Sequence, residues 1–107
     1  MSVNQNQVRA VVGVLLVNDK KEIFLARSPK WKNSWAIIGG GIEFGESFEE
    51  CGTREVKEET NLDVTNLSFL HIQESILSPD FEGKKHFIFI NFIGETVETQ
   101  VILNDEL

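Results

Sequence analysis

One segment of the sequence, FEECGTREVKEET (residues 48–60), carries the start and stop signals of a helix and an unusual concentration of acidic residues. Ser47, followed three positions later by Glu50, matches the capping box that begins many helices. Residue 61 is an asparagine, which is the commonest residue type other than glycine to end a helix in the left-handed conformation. The segment therefore predicts a helix that begins at Phe48 and stops at Asn61, which any fold must accommodate.

Three glutamates of this predicted helix fall on its apolar side. At about 100° per residue, Glu55, Glu58 and Glu59 fall on the side of Cys51, whereas Lys57 falls on the opposite side. A surface helix normally shows the reverse arrangement, with charge directed away from the apolar stripe. Because like charges this close repel, we weigh a site for a divalent cation, Mg²⁺ or Mn²⁺, against a solvated acidic face. The geometry favours the metal site.

Composition indicates one domain. The 107 residues, 41% hydrophobic and 25% charged, suit a single compact unit over 1–107, and the net charge of −7 disfavours a nucleic-acid partner bound through a basic surface. Cys51 is the only cysteine, which excludes an intrachain disulfide and favours a reducing compartment. The sequence shows neither a signal-peptide pattern nor an apolar run of about 20 residues, so we expect a cytoplasmic protein without a membrane partner.

The remaining sequence predicts strands around the helix. Two apolar runs separated by the turn residues NDKK indicate a hairpin, and the first run, nearly continuous in its apolar character, suits a strand covered on both faces. A short apolar run precedes three glycines, and further strand-like runs follow the helix. The predicted strands are residues 8–17, 22–28, 35–38, 67–75, 85–94 and, as a candidate, 97–103. This order indicates an α+β protein built on a mixed sheet.

The stretch GGIEFGESFEECGTREVKEETNL (residues 40–62) resembles the signature of the Nudix hydrolases, G-x5-E-x7-R-E-U-x-E-E-x-G-U, in which U is aliphatic. Eight of the nine specified positions match across 23 residues. The matching residues are Gly40, Glu46, Arg54, Glu55, Val56, Glu58, Glu59 and Leu62. Asn61 replaces the last glycine, which preserves the left-handed helix stop at small cost.

The resemblance implies a fold, an α/β/α sandwich around a mixed β-sheet. In the family, that fold usually continues with another strand and a closing helix, whereas this sequence ends at residue 107. We therefore expect a domain that lacks the usual C-terminal strand and helix. Either the chain is truncated, or it takes that layer from a neighbouring copy in a homodimer.

The resemblance also implies an activity, the metal-dependent hydrolysis of the pyrophosphate linkage of a nucleoside diphosphate derivative. The chain has no tyrosine, the residue that marks the dinucleoside polyphosphate branch, and SPDFEG (residues 78–83) is only a weak match to the ADP-ribose branch. We expect a small-molecule substrate, first a nucleoside triphosphate that yields a monophosphate and pyrophosphate. ADP-ribose or another nucleotide sugar is the alternative, and a non-catalytic nucleotide-binding module is a third interpretation.

Site residues follow from the same resemblance. Glu58 and Glu59 are expected to bind Mg²⁺ or Mn²⁺ together with the carbonyl oxygen of Gly39. Glu55 is expected to be either a further metal ligand or the base that deprotonates water. Arg54 is expected to orient Glu55, and Glu46 to support this network.

Several candidates lie outside the helix. Some members of the family recruit one more carboxylate, for which Glu106 is our first choice and Glu95 our second, although both also suit ordinary surface acids. Arg27 and Gly40 are candidates to contact the substrate phosphates, although Arg27 equally suits a solvent-facing end of its strand. The aromatic residues Trp35 and Phe44 are candidates either to stack on a base or to belong to the core.

Overall fold

The computed structural model describes residues 7–28, 34–79, 81 and 85–97, and for 26–28, 34 and 35 it describes the backbone alone. Within these residues the chain forms seven strands and one helix. In chain order these are β1 (Val8–Asn18), β2 (Ile23–Phe24), β3 (Ala26–Ser28), β4 (Ser34–Ala36), β5 (Ile38–Gly41), α1 (Phe48–Thr60), β6 (Thr65–Ile76) and β7 (His86–Thr96).

Five of the strands form a mixed sheet in the order β2-β1-β7-β6, with β5 also paired to β1. The two long strands β1 and β7 run parallel, whereas the pairs β1–β2, β1–β5 and β6–β7 are antiparallel. Strands β3 and β4 form a separate antiparallel pair. The predicted α+β architecture on a mixed sheet is therefore confirmed.

The predicted hairpin joins β1 to β2. The side-chain oxygen of Asn18 accepts hydrogen bonds from the backbone N–H groups of Lys20 and Glu22, at 3.0 and 2.9 Å, which closes the turn. Lys21 adopts the left-handed conformation within it, with a φ of 62°. The predicted strand 22–28 is interrupted at Leu25, and its second half pairs with β4 instead of β1.

The core lies between the sheet and one side of α1. Alternate residues of β1, namely Val12, Val14 and Leu16, are fully buried. Val14 and Leu16 pack with Ile38 and Val56, and Val12 packs in a second cluster that includes Cys51. Burying an aliphatic side chain of this kind stabilises the fold by about 1.5–3 kcal/mol. The opposite face of β1 is only partly buried, so the expectation that both faces are covered is wrong for the described residues.

Strand β6 extends beyond its predicted limits of 67–75 at both ends, whereas β7 begins one residue later and ends two residues later than the predicted 85–94. In the candidate strand 97–103, residue 97 follows the end of β7, and residues 98–103 lie outside the described part of the chain. The expected lack of a C-terminal strand and helix therefore stays a prediction. Among the described residues, no helix has the length and apolar character needed to cross a membrane.

Candidate active site

The predicted helix signals are all present in α1. The Ser47 hydroxyl accepts a hydrogen bond from the Glu50 backbone, and the Glu50 carboxylate accepts one from the Ser47 backbone, so the capping box is complete. Asn61 takes the left-handed conformation, with φ 64° and ψ 15°, and its N–H donates to the carbonyl oxygen of Lys57. These caps fix the limits of the helix and hence the positions of its acidic side chains.

The glycine strand β5 lies so close to β1 and to α1 that side chains on it would collide with them. A Cβ atom at Gly39 would overlap the carbonyl oxygen of Val12, and one at Gly40 would overlap the carboxylate of Glu55. Glycine at these two positions therefore allows β5 to pack between β1 and the helix. The carboxylate of Glu55 consequently lies directly against the backbone of β5.

Glu59 is held next to the same strand. Its side chain is largely buried, with Glu59 8% exposed, and its Oε2 accepts a hydrogen bond of 3.1 Å from the backbone N–H of Gly39. Burial and the neighbouring Glu55 carboxylate raise the pKa of Glu59 to about 9. A carboxyl group in this position holds a proton at neutral pH unless a cation replaces it.

Arg54 forms hydrogen bonds with both Glu46, which precedes the helix, and Glu55, near the middle of the helix. Its Nε and Nη2 donate to the two carboxylate oxygens of Glu46 at 2.7 and 3.0 Å, and its Nη1 donates to Glu55 Oε1 at 2.9 Å. These bonds from Arg54 lower the pKa of Glu46 to about 2, and they raise the pKa of Arg54 further. The arrangement is the one expected for a residue that orients Glu55.

The structure divides the three helix glutamates. Glu55 and Glu59 are buried against β5, whereas the Glu58 side chain is 56% exposed and lies 3.3 Å from Arg54. Lys57 projects on the other side of the helix and pairs with Asp63 at 3.2 Å. The predicted facing therefore holds for Glu55, Glu59 and Lys57, while Glu58 lies at the rim of the site.

The described residues fit a hard divalent cation, although no three acidic, histidine or cysteine side chains among them already converge as a metal cage. Glu55 and Glu59 bring two buried carboxylates together, and Arg54 bonds only the first of them. Carboxylate oxygens are the ligands that Mg²⁺ and Mn²⁺ prefer. A rotation of Glu58 toward this pair would complete a set of three carboxylates.

Other predicted residues have different outcomes. Glu95 is exposed on β7, and its Oε2 accepts a 2.6 Å hydrogen bond from Asn66, so the structure does not bring it to the helix glutamates. Phe44 is fully exposed, which excludes the core interpretation for that ring. Arg27 and Trp35 are opposite each other in the β3–β4 pairing, but their side chains, like all of Glu106, lie outside the described part.

Sequence reasoning missed the backbone partners of Arg54 and Glu46. The Gly41 carbonyl oxygen accepts a 3.2 Å hydrogen bond from Arg54 Nη2, and the Glu43 backbone N–H donates to Glu46 Oε1 at 3.0 Å. No residue type signals such main-chain contacts. Cys51 is buried, and this burial raises the pKa of its thiol to about 12, which argues against a nucleophilic role.

Known proteins resemble this chain in both sequence and fold. It is 40% identical over 73 residues to an RNA pyrophosphohydrolase of Ruthia magnifica subsp. Calyptogena magnifica, covering 68% of this chain and 40% of that protein. It is 32% identical over 97 residues to an ADP-ribose pyrophosphatase of Methanocaldococcus jannaschii, covering 91% of this chain and 56% of that protein. The chain thus spans only about half, or less, of these relatives.

Among solved structures, a MutT protein from Methanosarcina mazei Go1 superposes with a TM-score of 0.75 at 27% identity, covering 97% of this chain and 75% of that chain. The family model described as NUDIX domain matches residues 7–107. That range contains the capped helix, the glycine strand and the Arg54 network described above. Because the match extends over nearly the whole sequence, the chain belongs to the NUDIX domain family.

Proposed function

We propose that this protein is a pyrophosphohydrolase that uses Mg²⁺ or Mn²⁺ to hydrolyse the pyrophosphate linkage of a nucleoside diphosphate derivative. The observation that carries the proposal is the buried pair Glu55 and Glu59, held against the backbone of Gly39 and Gly40. Two carboxylates buried side by side destabilise each other unless a proton or a cation lies between them. A divalent cation would relieve the repulsion between the two carboxylates, and it could bind phosphate oxygens of the substrate at the same time.

The residues have separate roles in this reaction. Glu58, Glu59 and the Gly39 carbonyl oxygen would hold the cation beside the Glu55 carboxylate, and the cation when bound would neutralise phosphate charge and make a water molecule more acidic. Attack of water forms one phosphorus–oxygen bond and breaks the anhydride bond, and Glu55 accepts the proton that water releases. Arg54 fixes the orientation of Glu55, and Glu46 fixes Arg54 through its two hydrogen bonds.

A free nucleoside triphosphate is our first candidate substrate, because the sequence features of the dinucleoside polyphosphate and ADP-ribose branches are absent or weak. ADP-ribose is the second candidate, supported by the similarity to an ADP-ribose pyrophosphatase over 91% of this chain. The similarity to an RNA pyrophosphohydrolase makes RNA that carries a pyrophosphate linkage a third. All three carry the anhydride linkage that the proposed site would bind.

The proposal is tested by measuring product release from each of the three candidates in Mg²⁺, in Mn²⁺ and in EDTA. Metal-dependent turnover of at least one is expected, and the products identify the substrate class. Glu59→Gln should reduce this turnover by several orders of magnitude, whereas Glu49→Gln, an exposed glutamate in the first turn of the same helix, should leave it unchanged. Absence of turnover with all three, together with metal-dependent nucleotide binding, would instead establish a non-catalytic nucleotide-binding module.

A further inference from the structure

A buried polar group that the proposed reaction does not use lies on the sheet face opposite α1. Asn91, in the middle of β7, is 2% exposed, and its side-chain oxygen Oδ1 has no hydrogen-bond partner within the described residues. An amide oxygen buried without a partner typically costs about 1–3 kcal/mol. The chain therefore keeps an unfavourable group at the centre of its sheet, which requires a physical reason.

The Asn91 oxygen is closely surrounded by its neighbours on this face of the sheet. The sheet register places Asn91 between Gly13 of β1 and His71 of β6. Oδ1 occupies the space that a Cβ atom at Gly13 would need, and the Cδ1 atom of Ile37 lies 2.6 Å from the same position. Glycine at residue 13 therefore provides the room for the amide, and the Ile37 side chain covers it.

Asn91 lies in the same row of the sheet as Gly39 of the proposed metal site. Gly39 pairs with Gly13, and Gly13 pairs with Asn91, so the row crosses three neighbouring strands. With about 4.8 Å between strands, Gly39 and Asn91 are about 10 Å apart. In the next row, the half-buried apolar residues Val11 and Phe89 pair on the face that also carries Asn91.

We propose that Asn91 reads the base of the nucleotide substrate: its Oδ1 accepts a hydrogen bond from the exocyclic amino group of a purine once Ile37 changes rotamer. This inference rests on the proposed function, because the phosphates must bind near Gly39 to bring the base over Gly13. An asparagine amide presents an acceptor and a donor side by side, which matches the N6 and N7 edge of adenine. The 2-amino group of guanine offers the same donor.

Inosine triphosphate is the decisive probe, since its base lacks the amino group of both purines. For the wild-type protein we expect kcat/KM in Mg²⁺ to be at least about 10-fold higher for ATP or GTP than for ITP. Asn91→Leu, of similar volume, should reduce this ratio to about one by lowering only the rate with the amino purine. A ratio of about one in the wild type, or a ratio that survives in Asn91→Leu, overturns the proposal.

A second measurement separates base recognition from catalysis. Because Asn91→Leu removes an unpartnered buried oxygen, the variant should melt at the same or a higher temperature than the wild type in the absence of ligand. It should lose the extra thermal stabilisation that ATP or GTP gives over ITP. Gln73→Leu, which removes an exposed amide from the same face of the sheet, should retain it. A lower melting temperature with unchanged nucleotide selectivity would mean that Asn91 is structural.

Ile37→Ala provides an independent test that leaves Asn91 intact. Removing most of the side chain that covers Oδ1 should increase the preference for ATP or GTP over ITP, because no rotamer change is then needed. An unchanged or reduced preference contradicts the proposal. If the protein shows nucleotide selectivity in thermal shifts but no turnover of any nucleotide, the proposed function fails and the assignment of Asn91 stands.

Discussion

The guanidinium of Arg54 binds the carboxylate of Glu46 through two parallel hydrogen bonds, Nε to Oε2 at 2.7 Å and Nη2 to Oε1 at 3.0 Å. Such a bidentate pair fixes the plane of the guanidinium as well as its position. The remaining Nη1 is thereby directed at Glu55 Oε1, which it reaches at 2.9 Å. A residue that precedes the helix thus sets the orientation of a carboxylate near its centre.

Arg54→Lys tests whether these hydrogen bonds of Arg54 to Glu46 and Glu55 matter for activity. Lysine keeps the charge but cannot form the two parallel bonds to Glu46 and the bond to Glu55 together, so we expect kcat to fall by about 10–100-fold. KM should change little, because in the proposed mechanism Arg54 positions Glu55 and does not contact the substrate. Lys57→Arg, on the opposite side of the helix, is the control and should leave both constants unchanged. A rise in KM with unaltered kcat would assign Arg54 to substrate binding.

Gly40→Ala and Gly41→Ala form a matched pair. A Cβ at Gly40 would overlap the Glu55 carboxylate, whereas a Cβ at Gly41 would meet only the mobile end of Arg9, 3.0 Å from its Nη2. Displacing a catalytic carboxylate by about 1 Å typically costs about 100-fold in rate. We therefore expect steady-state kinetics to show such a loss for Gly40→Ala and almost none for Gly41→Ala. Equal losses in the two variants would argue against a special role for Gly40.

The raised pKa of Glu59 predicts how stability depends on pH in metal-free protein. In the folded state the Glu59 carboxyl group has a pKa of about 9, whereas in the unfolded chain its pKa is the ordinary value of 4.5. Between these values the folded state binds more protons, so the free energy of unfolding should decrease as the pH rises. Urea denaturation in EDTA at several pH values measures this slope, which Glu59→Gln should reduce.

Adding Mg²⁺ to the same denaturation series provides the comparison. A cation that displaces the Glu59 proton binds more tightly as that proton becomes easier to remove, so Mg²⁺ should stabilise the protein more at high pH than at low pH. Glu49→Gln, which alters an exposed glutamate, should behave like the wild type. A wild-type slope equal to that of Glu59→Gln would contradict the burial of this carboxyl group.

Substitutions of Asn61 test whether the end of α1 depends on the left-handed conformation at this residue. Alanine tolerates the left-handed conformation poorly, so Asn61→Ala should reduce the free energy of unfolding by about 1 kcal/mol. Asn61→Gly restores the residue of the family signature and should be neutral or slightly stabilising. Chemical denaturation of the wild type, Asn61→Ala and Asn61→Gly measures the order of their free energies of unfolding. If alanine is tolerated as well as glycine, the helix end does not depend on this conformation.

The sequence alone determined the features that depend on neighbouring residues. The capping box at Ser47, the stop at Asn61 and the opposite facing of Glu59 and Lys57 all appear as predicted. Hydrogen bonds within a few residues and the fixed rotation of the helix set these features, so the order of residue types is sufficient to predict them.

Tertiary structure decided which of these groups are buried and what lies beside them. Glu58 is exposed while Glu55 is buried, because β5 covers only one side of α1. Asn91 meets Gly13 through the register of two strands that are distant in the chain. Such contacts depend on how separate elements pack, and the same residue types in another register would place these side chains on the other face of the sheet.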